Sequence, residues 1–193
     1  MSSRTPFVEI ACQQVMVEDA SVFSVQWTDL PQAIAGSLSP GELLVRYLGY
    51  INTCTLTLIR PKVLESGIEF RLLGTRLSLI SFLPPEYSHG CATIRICGGF
   101  LVQPRQCNRG ELRFGVEPQP EATRISLQLS DFCPLILGSR SPSLVRFWLY
   151  RLTQAAIHRL VTIRFLSLLY RERAGASAGL RVINVAVRTG KPV

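Results

Sequence analysis

Residues able to do chemistry are few, and they fall in two places. Glu86, Tyr87, His89 and Cys91 share one polar stretch, PPEYSHGC, while Arg151, His158 and Arg159 lie in a long apolar run nearer the C-terminus. Glu86 and His89 could form an acid–base pair, but such a pair works only within hydrogen-bond reach of a substrate proton; an ordinary polar loop would read the same. His89 and Cys91 could bind zinc together with Cys97 and Cys107, yet the spacing matches no standard tetrahedral site. Arg151 and Arg159 could neutralise a ligand carboxylate, or lay their stems on apolar surface and keep their charge in water. Gly98-Gly99 sits inside a strand-like run and reads as a bulge, without the spacing of a phosphate loop. No Ser/His/Asp arrangement, P-loop or dinucleotide fingerprint is present. The expectation is therefore no catalytic set, no metal and no cofactor.

The element that must carry the second group is Ser141 to Arg173, a stretch without internal Gly or Pro after Ser143. Ser141-Pro142 offers an N-cap with Pro at the first helical position, and Gly175 offers a left-handed C-terminal cap. The spacing predicts one long helix with two apolar faces. Phe147, Tyr150, Ile157, Val161, Phe165 and Leu168 form one, interrupted by Gln154; Trp148, Leu152, Leu160 and Ile163 belong to the other, expected to be structural. Arg146, Arg164 and Arg171 share a narrow polar strip.

Upstream, the period is mostly two. Phe7–Val17 reads as a first strand, and residues 19–30 as a short helix capped by Asp19, although Phe23, Val25 and Trp27 also alternate. Leu30–Leu38 and Pro40–Leu48 suggest short helices. Strands follow around Cys54-Leu56-Leu58, Ile68-Phe70-Leu72, Arg76–Leu83 and Ala92–Val102, with Pro84–Gly90 as a loop. Two more present Leu112, Phe114 and Val116, then Ile125, Leu127 and Leu129, to one side. Such alternation predicts an antiparallel sheet covered on one face.

The chain has 193 residues, 47% hydrophobic, and a net charge of +8 that is nearly all arginine. That excludes disorder and suits one domain. Charges interrupt every apolar run before the roughly 20 residues a membrane helix needs. The arginines alternate along strands in place of clustering, so nucleic acid is not the expected partner, although a basic module docking on anionic lipid or nucleic acid through Arg146, Arg164 and Arg171 is an alternative. Six cysteines without a CxxC pair, and no leader-like N-terminus, point to reduced thiols and a cytoplasmic protein.

The order of strand, short helices, about six antiparallel strands and one long helix resembles the helix-grip fold of the START/Bet v 1-like superfamily. The runs GELRF at 110–114 and LVTIRFL at 160–166 are similar to an uncharacterised bacterial and plant family within it. The resemblance covers Phe7 to about Gly175. It implies an α+β fold of six or seven antiparallel strands gripping the long helix, with residues 1–175 as one domain. The Ala/Gly/Ser spacer that follows suggests 176–193 as a loosely attached tail, in which Leu180–Val187 could form a short extra strand. The resemblance also implies a small hydrophobic or amphipathic ligand held between sheet and helix by Phe114, Leu127, Tyr150, Gln154, Ile157, His158, Val161, Phe165 and Leu168. A cyclase or dehydratase using His158, Tyr150, His89 and Glu86 is the enzymatic alternative. Oligomeric state is left open.

Overall fold

Two long strands, β1 (Phe7–Met16) and β2 (Val22–Pro31), pair antiparallel at the start of the chain. The second replaces the short helix expected over residues 19–30. Its residues satisfy both periods, and pairing on both sides decides between them: β2 bonds β1 on one edge and β9 (Ala122–Phe132) on the other. Asp19 caps no helix. It tightens the β1–β2 turn by accepting from the Ser21 amide at 3.0 Å, and it pairs with Arg109, which holds its carboxyl well below the usual carboxylate range.

The computed structural model describes residues 7–104, 109–138, 142–174 and 179–193. After β2 come α1 (Gln32–Ala35) and α2 (Pro40–Cys54). Ser39 caps α2, accepting from the Glu42 amide at 3.1 Å, with Pro40 in the first turn. Leu43, Leu44, Tyr47, Leu48 and Ile51 form its buried face. The strand expected around Cys54, Leu56 and Leu58 is absent. Cys54 ends α2, and Leu56 and Thr57 turn the chain with positive φ, leaving Leu56 88% exposed. Alternating Thr and aliphatic residues fit a helix end as readily as a strand, and the buried face of α2 draws the helix past Leu48.

Six further strands precede β9: β3 (Ile59–Leu64), β4 (Gly67–Leu72), β5 (Ser78–Phe82), β6 (Glu86–Ser88), β7 (Cys91–Gly98) and β8 (Glu111–Pro118). The short β6 lies inside the expected Pro84–Gly90 loop and pairs with β7. Gly98-Gly99 marks the expected irregularity: Gly99 has φ +118°, and a Cβ there would stand 2.5 Å from the Leu79 carbonyl oxygen. Phe114 pairs with Leu127, Leu112 with Leu129 and Val116 with Ile125, all turned to the helix side, while Arg113 is exposed.

The long C-terminal element is α3 (Leu144–Tyr150), a π-helical turn at Arg151–Ala155, and α4 (Ala156–Ala174). Ser143 caps it by accepting from the Arg146 amide at 3.4 Å, so Pro142 precedes the cap instead of opening the helix. Ser141 and Gly175 lie outside the described residues. Two last strands, β10 (Gly179–Asn184) and β11 (Lys191–Pro192), pair with β1, parallel and antiparallel respectively. The segment after residue 178 is thus tied into the sheet, contrary to the loose attachment its small-residue spacer suggests.

The architecture is α+β: a mostly antiparallel sheet in the order β10-β1-β2-β9-β8-β7-β5-β4-β3, with β11 and β6 off that path, and one long C-terminal helix on its covered face. The strands outnumber the six or seven expected. The surplus comes from β2, the short β6 and the two C-terminal strands.

One expectation for the long helix is overturned. Trp148, Leu149, Leu152 and Leu160 are exposed, Leu160 by 50%, and of the face expected to be structural only Ile163 is buried. The reason is coverage. Helices α1 and α2 pack chiefly on α4, whose end is held by Arg173 donating to the Ala35 carbonyl and pairing with Glu42. Nothing among the described residues covers the far side of α3 and the π turn.

Candidate binding cavity

Tyr47 is the hinge of the packing around the site. Its ring meets Phe114 of β8 and Phe165 of α4, each at 5.3 Å between centroids, and Phe165 also meets Tyr50 at 5.5 Å. This aromatic cluster props α2 and α4 apart from the sheet. Next to it, toward α3, lies a cavity of about 210 Å³. Its floor is sheet: Ile59, Phe70, Ile80, Phe82, Ile96, Leu112, Leu129 and Phe132, with Leu101. Its second wall is Tyr47, Ile51 and Thr55 at the end of α2, and its third is Tyr150, Gln154, Ile157, His158 and Val161. Ile157 is 56% exposed and stands at the mouth.

Of the expected ligand-contacting residues, the structure brings together Tyr150, Gln154, Ile157, His158 and Val161. Four others lie elsewhere. Phe114 and Leu127 are fully buried core, with Phe114 one layer back behind the Tyr47 ring. Phe165 is spent on the aromatic cluster. Leu168 lies on a separate shallow groove with Arg46 and Glu172, 41% exposed. The residues not anticipated are mainly inward strand positions, Phe70, Phe82 and Ile96, and the α2 pair Tyr47 and Ile51. Period-two patterning marks the strand positions as inward. Only the extension of α2 to Cys54 reveals Ile51 and Thr55 as a wall.

The polar groups of the cavity are all uncharged at neutral pH. Burial alone pushes the His158 imidazole down to about 4, leaving the ring neutral. Burial alone pushes the Tyr150 hydroxyl up, with the side chain only 2% exposed. Burial raises Tyr47 too, offset in part by a hydrogen bond with the Thr162 side chain. The Oε1 atom of Gln154 is buried with no hydrogen-bond partner among the described residues. Thr55 is satisfied: its hydroxyl donates to the Ile51 carbonyl at 2.7 Å and accepts from the Ile59 amide at 3.1 Å.

The other chemical candidates disperse. Glu86 pairs with Arg95 at 3.0 Å and His89 is exposed, so the loop pair is not aimed at the cavity. Cys12 and Cys133 are buried, Cys91 is half-buried, Cys54 and Cys97 are exposed, and Cys107 lies outside the described residues. Among the described residues no group of three His, Cys, Asp or Glu could hold a metal ion. Arg151 stacks over Trp148 at 4.9 Å, and Arg159 donates to Asn184 at 3.3 Å. Both line a larger groove of about 660 Å³ beside the C-terminal segment. That groove is walled largely by exposed residues 184–193, whereas the smaller cavity is walled by buried apolar side chains. The smaller one is the better ligand site.

No family model matches the chain, and no curated protein matches it. Among the solved structures similar to it are two of CalU16 from Micromonospora echinospora. The solution NMR structure is 15% identical, covering 89% of this chain and 78% of that one, with a TM-score of 0.39. The crystal structure is 12% identical, covering 87% and 96%, with a TM-score of 0.33. No described helix is long and apolar enough to cross a membrane.

Proposed function

We propose that this chain is a binding protein for a small apolar or amphipathic molecule, held between the sheet and the long helix, as its resemblance to the START/Bet v 1-like superfamily implies. The observation that carries this reading is the cavity itself. It is walled by buried aliphatic and aromatic side chains and bounded by helix on two sides and sheet on the third. Burying an apolar ligand there gains roughly 25 cal/mol per Å² removed from water. The volume of about 210 Å³ exceeds the roughly 150 Å³ of an engineered apolar cavity that takes benzene. A ligand of one or two rings, or a short branched chain, fits it.

An enzymatic reading has less support. A general base works best with a pKa near the operating pH, and His158 is held at about 4. Glu86 and His89 lie outside the cavity. Mass spectrometry of small molecules released from the purified protein tests the binding reading. A retained apolar compound that is lost in Val161→Trp supports it, and an empty protein that also binds no apolar probe overturns it.

A second reading concerns the surface. Leu144, Val145, Trp148, Leu149 and Leu152 are exposed along α3 and the π turn, beside Arg146 and Arg151. Apolar side chains flanked by arginine suit the interface of an anionic lipid bilayer. Access to a lipid surface would bring an apolar ligand to the cavity mouth at Ile157.

A further inference from the structure

The wall contributed by the long helix differs from the other two. Tyr150, Gln154 and His158 recur every fourth residue, with the π turn Arg151–Ala155 between the first and the last. Four-residue steps drift around an α-helix of 3.6 residues per turn, and the wider π turn takes up part of that drift. The three polar side chains therefore line one cavity together, and such turns are frequent at functional sites.

We propose that Tyr150, Gln154 and His158 form a polar ladder that recognises a hydroxyl group, so that the ligand is a small uncharged phenol or alcohol with an otherwise apolar body. The inference rests on the cavity reading above and names its ligand class. Three observations carry it. Among the described residues the buried Gln154 Oε1 has no hydrogen-bond partner, and a buried polar atom without one is costly unless something supplies it. The other polar groups on the walls, Thr55 and Tyr47, are already engaged with Ile51, Ile59 and Thr162. Among the described residues no charged side chain lines the cavity, and Arg151 and Arg159 open onto a separate groove.

These facts select among ligand groups. A carboxylate would be desolvated without a cation to meet it. A hydrocarbon would leave Gln154 unpaired. A hydroxyl donates one hydrogen bond and accepts others, so it answers Gln154 whichever end of the amide faces the cavity. The tyrosine hydroxyl and the neutral imidazole can each donate or accept beside it.

Three bicyclic probes of similar size separate these cases: 1-naphthol, naphthalene and 1-naphthoate, titrated calorimetrically or by fluorescence against the full chain. The expected order is 1-naphthol over naphthalene by about tenfold, the worth of one net hydrogen bond, with no saturable binding of 1-naphthoate. In Gln154→Leu the preference for 1-naphthol should fall to parity or reverse while naphthalene binding persists. Gln154→Met, closer in shape, takes its place if the leucine variant melts early. Equal affinity for 1-naphthol and naphthalene in the parent chain, or an unchanged preference in the folded variant, overturns the polar ladder and leaves the cavity reading standing. Failure of all three probes to bind overturns both.

Discussion

His158 shows how one burial sets both a chemical state and a pH dependence. The only influence moving its pKa is loss of water, which takes the imidazole from its ordinary value of about 6.5 down to about 4. In the folded chain the ring stays neutral while the unfolded chain takes up a proton below about pH 6.5. Its contribution to stability is thus fully present above about 6.5 and is lost as pH falls from there toward about 4. The loss should amount to about 1–3 kcal/mol, the lower part being favoured because the residue as a whole is only half-buried. Urea unfolding on either side of that window, compared between the parent chain and His158→Gln, reads it directly. The variant should lose less stability on acidification, and identical slopes would show that His158 does not titrate in isolation from water. The same burial makes the residue a hydrogen-bonding wall group and a poor base.

At the scale of elements, the long helix performs different tasks along its length. Its C-terminal half is structural, with Ile163, Phe165, Leu166 and Leu169 in the core and Arg173 tied to α1 and α2. Its middle is the cavity wall. Its first turns carry Phe147 and Tyr150 inward, with Lys191 3.8 Å above the Phe147 ring, and leave the opposite side uncovered. Two bulky substitutions at adjacent positions test this division. Val161→Trp projects into the cavity and should abolish probe binding at a modest stability cost. Leu160→Trp points outward from a half-exposed position and should leave both folding and binding close to the parent. Thermal melts and a binding titration on the two proteins decide. Matching losses of ligand in both would mean that the helix is rotated relative to the arrangement described here.

For the whole molecule, the decisive features are a net positive charge and the uneven coverage of the long helix. The chain carries +8, and its exposed large hydrophobic residues include a strip from Leu144 to Leu152 with arginines among them. Cosedimentation with vesicles containing phosphatidylserine should therefore exceed that with neutral phosphatidylcholine vesicles. It should weaken as salt shortens the reach of the arginine charges. Trp148→Glu should reduce it sharply without touching the cavity. Equal recovery with both vesicle types, or none with either, removes the lipid-surface reading while leaving the cavity unaffected.

Much of the fold was written in local pattern. Leu112-Phe114-Val116 and Ile125-Leu127-Leu129 place their strands and faces because a period of two leaves one register that hides them. The gap-free run from Leu144 declares a long helix because nothing in it breaks one. The polar residues of the wall were legible in part: Gln154 interrupts the apolar stripe to which Tyr150 belongs, and His158 lies in the same apolar run. What local pattern left undetermined was partnership. Residues 22–30 fit helix and strand alike, and only two neighbouring strands, one of them about a hundred positions distant, made β2. Both apolar faces of the helix looked equally in need of cover, and only the short reach of α1 and α2 decided that Leu160 and Trp148 would meet solvent. Phe114 and Phe165 carry the same apolar character as the cavity walls, yet tertiary packing against Tyr47 makes them core. Apolar character says that a side chain will be buried, since leaving water is favourable against any apolar surface. It does not say against what, and a cavity is a property of the surfaces that fail to meet.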